Sequence, residues 1–387
     1  MVDGVRVFSD SLRVRGRKTP CSLATMTDFL ARFAAARRLL ADDGIDGLLL
    51  SVGADLPYFT GYEAMQTERL TMLALPTEGD AILFIPELEA PRVERRGDLF
   101  EVRSWSETED PVRLVSESVS GWRRGLIGDH TWATFALGLQ ERLPGLVLGR
   151  ASDVTRELRM RKDSAEIDAL RSAGQAADRV VARLRDMRFS GRTERELARL
   201  IAEMTVEEGH QVAAFGIVAS GPNGASPHHE SGDRVMENGD PVVVDFGGRF
   251  DGYFSDTTRN FVVGQSPKGY GEAFEVLLEA QKAACDEVRP GVAAQSIDIA
   301  ARSVIEAAGY GEFFIHRTGH GIGLEVHEHP YIVEGNQLLL EPGMTFSIEP
   351  GIYLPGRFGM RIEDIVVVTD TGVERLNQSP RSLAVVS

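Results

Sequence analysis

Cysteine is nearly missing from this chain of 387 residues; Cys21 and Cys285 are the only two, far apart and in unrelated surroundings. That scarcity excludes a disulfide framework and a thiolate zinc site, and it fits a reducing, cytoplasmic compartment. Long apolar runs are missing too, since none approaches the ~20 residues that a membrane-spanning helix needs. No phosphate-binding loop, nucleophile elbow around a serine, or paired-cysteine redox motif occurs. Nucleotide, serine-nucleophile and thiol chemistries therefore drop out. Positive charge is in the minority, with 42 Lys and Arg against 58 Asp and Glu and a net charge of −16. Such a surface repels phosphate backbones and anionic bilayers, so neither nucleic acid nor a membrane is an expected partner.

What is present suggests two domains with ample apolar content for their cores. Residues 1–26 are polar and basic, with Arg13, Arg15, Arg17 and Lys18 but no apolar signal core. They read as a weakly ordered extension, and Met26 is an alternative start. Phe29, Phe33, Ala36, Leu39 and Leu40 then recur at helical spacing over 27–42, behind Asp28 as a capping residue. Strand runs follow in IDGLLLS, LTMLALP and DAILFIP, so 27–150 is expected to be an α/β domain. A proline-free helical stretch runs over 152–185, and a second helix over 193–208 opens with the capping pattern T-E-R-E. Beyond Val212 the period shortens to that of strands, interrupted by helices near 271–288 and 295–308. Residues 151–387 are thus expected to form an α+β domain, with helices packed on a largely antiparallel sheet.

The chemistry concentrates in the last third. Asp245 in VVVDFGG, Asp256 in FSDTTRN, Glu349 in SIEPGIY and Glu363 in RIEDIVVV all interrupt or end β-branched runs. Gly247, Gly248 and Gly252 predict a tight reversal that brings Asp245 and Asp256 to one face of a hairpin. Two acids on an inward face repel unless a cation lies between them. His316, His320, His327 and His329 crowd one glycine-rich run, and spacing alone gives His320 only a modest preference over His327 as a metal ligand. Arg361, two residues before Glu363 and so on its strand face, is placed to orient that carboxylate or to form a plain structural pair. His228 and His229, in a Gly/Pro/Ser loop, are proton-shuttle candidates, although loop histidines are commonplace. Four carboxylates and one imidazole suit two divalent cations, with manganese, cobalt or iron favoured and zinc possible. Such a pair of ions can activate a bridging hydroxide and polarise a carbonyl.

In this order, VVVDFGG, SDTTR, HRTGHGIGLEVHE, SIEPGIY and RIEDIVVV resemble the pita-bread metallopeptidases of family M24. The likeness is to the Xaa-Pro dipeptidase (prolidase) and aminopeptidase P group, and it covers nearly the whole chain. It implies a creatinase/prolidase-type N-terminal domain ahead of a pita-bread catalytic domain. It also implies that Asp245, Asp256, His320, Glu349 and Glu363 hold two divalent metal ions, most readily Mn2+, with Asp256 and Glu363 bridging. Glu349 would double as a base, and His228 and His327 would meet substrate and move protons. His316 and Arg361 match supporting positions. The implied reaction is hydrolysis of an Xaa-Pro bond, whose tertiary amide lacks an N–H, in a cytoplasmic homodimer. The loop 62–70 of a partner would close the site, with Arg69 as a carboxylate clamp.

Within that resemblance the dipeptidase reading is preferred, and an aminopeptidase P acting on longer peptides stays open. A metal-dependent lyase of the same fold is a further alternative, as is a catalytically silent peptide-binding protein. A methionine aminopeptidase would lack the N-terminal domain, and a creatinase-like enzyme would have lost the ligands.

Overall fold

The structure, a computed structural model, describes residues 28–387; Cys21, Met26 and the expected N-terminal extension lie outside them. The first helix, α1 (Phe29–Asp42), starts where Asp28 accepts a hydrogen bond from the Ala31 amide. Its buried face is formed by Phe29, Phe33, Ala36 and Leu40, the residues whose spacing predicted it. The elements β1 (Gly47–Leu50), α2 (Asp55–Thr60), β2 (Met72–Pro76), β3 (Ala81–Pro86) and β4 (Phe100–Trp105) follow. After them come α3 (Pro111–Ser118), β5 (Arg124–Ile127), α4 (Ala133–Arg142) and β6 (Val147–Arg150). The strands form one mixed sheet in the order β4-β3-β2-β1-β5-β6. Only β1–β2 and β2–β3 pair antiparallel; a short turn joins β2 to β3, whereas β1 reaches β2 through α2. Apolar side chains fill both faces of this sheet, so the first half is an α/β layer structure.

The helical stretch expected over 152–185 is two helices, α5 (Ser152–Arg159) and α6 (Ser164–Arg185). Absence of proline did not keep it continuous. Asp163 caps α6 by accepting from the Glu166 amide, and the Glu166 carboxylate accepts from the Asp163 amide. This reciprocal box starts a new helix, and the Lys162 amide is meanwhile spent on the Gly343 carbonyl. Glu166 also accepts from Tyr253 Oη at 2.7 Å and pairs with Arg32 of α1 at 3.1 Å, which joins the two halves. Next come α7 (Glu194–Glu207), capped by Thr193 and Glu196 as predicted, and β7 (Val212–Ser220).

Two largely antiparallel layers form the second half. The strands β8 (Pro241–Phe250), β9 (Tyr253–Phe254) and β10 (Thr257–Val263) join β7 and the distant β18 (Ala384–Val386) in the order β18-β10-β8-β7, with β9 on β8. The exception is β18, which pairs parallel to β10. Helices α6 and α7 pack behind that sheet through Val180, Leu184, Leu197 and Ile201 against Val242, Val244 and Phe261. The remaining helices, α8 (Tyr270–Glu287) and α9 (Ala294–Ala307), lie behind a second sheet. It contains β11 (Gly319–Gly321), β12 (Glu328–Ile332), β13 (Thr345–Ile348), β16 (Asp364–Val368) and β17 (Val373–Arg375), ordered β12-β11-β13-β16-β17. A separate ribbon of β14 (Gly351–Leu354) and β15 (Phe358–Arg361) connects β13 to β16. Among the described residues no helix is long and apolar enough to cross a membrane.

Gly174, in the middle of α6, lies so close to the next layer that an added Cβ would sit 2.8 Å from the Leu376 carbonyl oxygen. Helix propensity favours Ala over Gly by about 1 kcal/mol, whereas overpacking a tight contact costs roughly 1–3 kcal/mol. Gly174→Ala is therefore expected to lower the thermal unfolding temperature. A variant that melts higher than the parent would mean that Leu376 yields at no cost.

Candidate active site

The five sequence-predicted ligand residues converge from both sheets onto one cleft of about 720 Å3. Asp245 lies within β8, Asp256 directly before β10, His320 in the centre of β11, Glu349 directly after β13 and Glu363 directly before β16. Thr258 pairs with Asp245 across β8 and β10, and Asp256 stands two residues before Thr258. Strand alternation therefore turns both aspartates to the same side, as expected. The glycines work differently from the expectation. Gly247 and Gly248 lie inside β8, and the reversal falls at Asp251 and Gly252, both at positive φ. At Gly247 a Cβ would come within 2.2 Å of the Ser255 carbonyl oxygen. The missing side chain lets the segment before Asp256 lie close against β8.

Asp256, His320 and Glu363 each bring one donor atom to within 4.8 Å of the others, and all three are buried. Glu349 approaches His320, with Oε1 at 3.2 Å from Nε2. The His320 Nδ1 lies 3.1 Å from the Gly321 carbonyl, so Nδ1–H donates there and Nε2 turns into the cleft. Asp245 and Glu363 share one pattern. The Arg361 guanidinium donates to Asp245 Oδ2, and Thr258 Oγ1 donates to Glu363 Oε2 at 2.7 Å. Asp245 Oδ1 and Glu363 Oε1 are left buried with no partner. A buried carboxylate oxygen without a donor is costly unless a cation takes it. The residues present thus fit divalent metal ions, each carboxylate being oriented through one oxygen and free at the other.

Electrostatics agree with that geometry. Burial, and then repulsion from Glu363, Asp245 and Glu349, holds the Asp256 carboxyl well above its ordinary pKa. Burial, with repulsion from Glu349 and Asp245, does the same to Glu363. Glu349 goes the other way: burial opposes its charge, yet His320, His316 and Arg361 bring it down to about 2. The cluster resists full ionisation without added positive charge.

Arg361 differs from the strand-face expectation. The chain leaves β15 at Arg361 and enters β16 at Asp364, so Arg361 and Glu363 do not share one strand face. Arg361 instead donates to Asp245, to Thr258 Oγ1 at 3.1 Å and to Tyr353 Oη at 2.8 Å. Tyr353, which the sequence reading passed over, also lies 2.9 Å from His316 Nε2. Because His316 Nδ1 is 2.7 Å from the Arg317 carbonyl, it carries the proton, and Nε2 accepts from Tyr353. Both His316 nitrogens are therefore committed. Its contribution is to fix Tyr353 and, through it, Arg361. An isolated tyrosine between two strand residues gives no sequence signal for this.

The two loop histidines separate. His228 is exposed and lines the cleft, whereas His229 Nε2 bonds Glu194 at 2.7 Å. Fully buried Glu194 also accepts from the Ser220 amide and hydroxyl, the Asn223 amide group and the Gly232 amide. These bonds brace the loop that carries His228. His327 lines the cleft as well, its ring 4.1 Å from that of His320. Burial, and then the nearby His320 and Arg317, lower its pKa to about 4. Arg69 is not brought to the cleft in this chain; it pairs with Glu68 and, at 2.8 Å, with Glu107.

Comparison with known proteins agrees with this arrangement. Residues 168–370 match the model for metallopeptidase family M24, and residues 32–161 match the creatinase/prolidase N-terminal domain. The chain is 47% identical over 363 residues to a probable dipeptidase, PepE, of Mycobacterium tuberculosis, covering 92% of this chain and 96% of that one. It is 37% identical over 361 residues to the Xaa-Pro dipeptidase of Lactobacillus helveticus, covering 90% and 96%. The crystal structure of a recombinant prolidase from Thermococcus sibiricus superposes with a TM-score of 0.88 at 39% identity, over 92% of this chain and 99% of that chain. The creatinase-type N-terminal domain and pita-bread catalytic domain implied by the motifs are thereby established.

Asp256 and Glu363 bind protons more tightly folded than unfolded. Their contribution to stability is full below about pH 4 and is lost as pH rises through their elevated folded values. Metal-free protein should thus melt at progressively lower temperature from pH 5 to pH 8. Divalent metal should offset the loss, and Asp256→Asn should flatten it. Parallel curves with and without metal would contradict the assignment.

Proposed function

We propose, starting from the fact that this chain belongs to metallopeptidase family M24, that it is an Xaa-Pro dipeptidase using two divalent metal ions. The observation that carries the site assignment is the pair of partnerless buried oxygens on Asp245 and Glu363, beside the cluster of Asp256, His320 and Glu363. Asp245, Asp256, His320, Glu349 and Glu363 would hold the ions, with Asp256 and Glu363 bridging. When bound, such ions supply a hydroxide nucleophile at neutral pH and polarise the scissile carbonyl. Manganese is the favoured metal, with cobalt, zinc or iron as substitutes.

This chain's own residues orient the substrate and handle its protons. Glu349, with Oε1 3.2 Å from the Ser347 hydroxyl, is the candidate base. His327 is neutral at physiological pH, given a pKa of about 4, and so can donate a hydrogen bond without adding charge. His228, which lines the cleft on its braced loop, would pass a proton to the departing secondary amine of proline. Phe215, Ile217, Ile315 and Val326 line the same cleft and offer an apolar wall for a pyrrolidine ring. A cytoplasmic homodimer, in which a partner's N-terminal domain adds Arg69 and its loop, belongs to the same reading. So does a domain boundary near 150.

The second reading, an aminopeptidase P, rests on how openly the cleft meets solvent. Metal-loaded protein should release proline from Ala-Pro and fail to release alanine from Ala-Pro-Ala-Ala. Alanine release from the longer peptide would support the aminopeptidase instead, and metal binding with neither reaction would favour a lyase. Asp256→Ala should abolish both metal binding and turnover, whereas His228→Ala should keep the metal and lower turnover by roughly 10²–10⁴-fold. Full activity in Asp256→Ala would defeat the two-metal assignment.

A further inference from the structure

His327 reaches the cleft from the excursion 322–327 between β11 and β12. Among the described residues its ring makes no hydrogen bond; its ring contact is the His320 imidazole, 4.1 Å away between centroids. Packing holds it no better, because cavities of about 300 Å3 and 500 Å3 lie against the same excursion and His327 lines both. What ties the segment down is charge. Glu325 and Glu328, on either side of His327, both accept from Arg159 Nη2, Glu325 at 2.7 Å. Glu328 is buried, and its other oxygen accepts from Lys162 Nζ at 2.6 Å. Burial opposes that carboxylate's charge, but Lys162 and Arg159 hold its pKa below the usual range. Gly323 leaves room for the pair, since a Cβ there would lie 2.6 Å from Glu328 Oε1.

Arg159 is the last residue of α5, and its Nη1 donates to Asp55 Oδ1 at 2.9 Å. Asp55 opens α2 in the N-terminal domain, and Thr155 Oγ1 donates to its other oxygen at 3.0 Å. One planar guanidinium thus bonds α2 on one side and both flanks of His327 on the other, a fork that a lysine cannot reproduce. We propose that Arg159 is a positioning residue, which fixes the chain around His327 against the N-terminal domain and so sets where that imidazole meets the substrate. The proposal rests on the Xaa-Pro peptidase reading and deepens it. Among the described residues Arg159 contacts none of the candidate metal ligands and does not line the cleft that holds them. Its loss leaves Asp55, Glu325 and Glu328 with Lys162 as the remaining cation and frees the excursion to shift into the adjoining cavities. A displaced imidazole then lowers turnover more than it weakens substrate binding.

The test is a double-mutant cycle on manganese-loaded protein with Ala-Pro as substrate. Arg159→Met should lower kcat about ten- to a hundredfold, with KM and the calorimetric affinity for manganese little changed. Arg159→Lys should recover part of the loss. In a His327→Ala background, Arg159→Met should cost less than about twofold more, because the group it positions is already gone. A loss that adds in full to that of His327→Ala, or wild-type kcat in Arg159→Met, would overturn the proposal. Should Arg159→Met fail to fold, Glu325→Ala removes one anchor beside His327 and carries the same cycle with the same criteria. Wild type that cleaves no Xaa-Pro peptide would overturn the peptidase reading instead. Amide hydrogen exchange would then decide the positioning alone. Faster exchange over 322–329 in the variant, with exchange over 241–263 unchanged, supports it; faster exchange everywhere or nowhere refutes it.

Discussion

Like charges forced together away from water are the constraint on which this molecule is built. Asp245, Asp256, Glu349 and Glu363 are collected where two sheets meet, and among the described residues His320 and Arg361 are the cationic or imidazole groups within ion-pair distance of them. Isolated, such a cluster would push the sheets apart. Each carboxylate is therefore seated on or beside a strand whose other neighbours are apolar and closely packed. The helices behind the sheets carry no part of the chemistry. They supply the cohesion that keeps the acids in place until cations neutralise them.

Neutral groups around the acids set direction rather than charge. Thr258 takes one oxygen of Glu363 and one donor of Arg361. Tyr353 spaces Arg361 from His316, and burial raises its own phenol to about 12, so it stays protonated. Glu194 does for the His228 loop what these do for the cluster, and it does so from outside the cleft. Burial opposes its charge, but the Ser220, Asn223 and His229 donors hold its pKa below the usual carboxylate range. Rigid support of reactive groups by residues that do not themselves react is the usual way in which sub-ångström placement is kept.

Much of this was legible in the sequence, and the misses share a cause. The candidate ligand acids stood out because an acid inside a β-branched run is costly without a reason. The helices α1 and α7 stood out because their caps and apolar periods agree. The break between α5 and α6 was missed because its signal, Asp163 with Glu166, is local, whereas helical periodicity runs straight across it. Arg361 and Glu363 were assigned one face because alternation assumes a continuous strand, and the chain changes sheets between them. Spacing does not separate His228 from His229; the resemblance singles out His228, and the bond of His229 to Glu194, far off in sequence, shows what occupies the other. Periodicity reports a chain's relation to its own backbone. Partners brought in from another sheet leave no periodic trace.

The division of the acids between two sheets also has a temporal side. A ribosome makes β7, β8 and β10 first, so Asp245 and Asp256 emerge while His320, Glu349 and Glu363 do not yet exist. Two aspartates on one sheet are a poor ion trap, and the Arg361 that orients Asp245 comes later still. The growing polypeptide thus carries two of the five candidate ligand residues and no complete site. Catalysis becomes possible only when the second sheet docks on the first, so completion of the fold is itself the moment of activation.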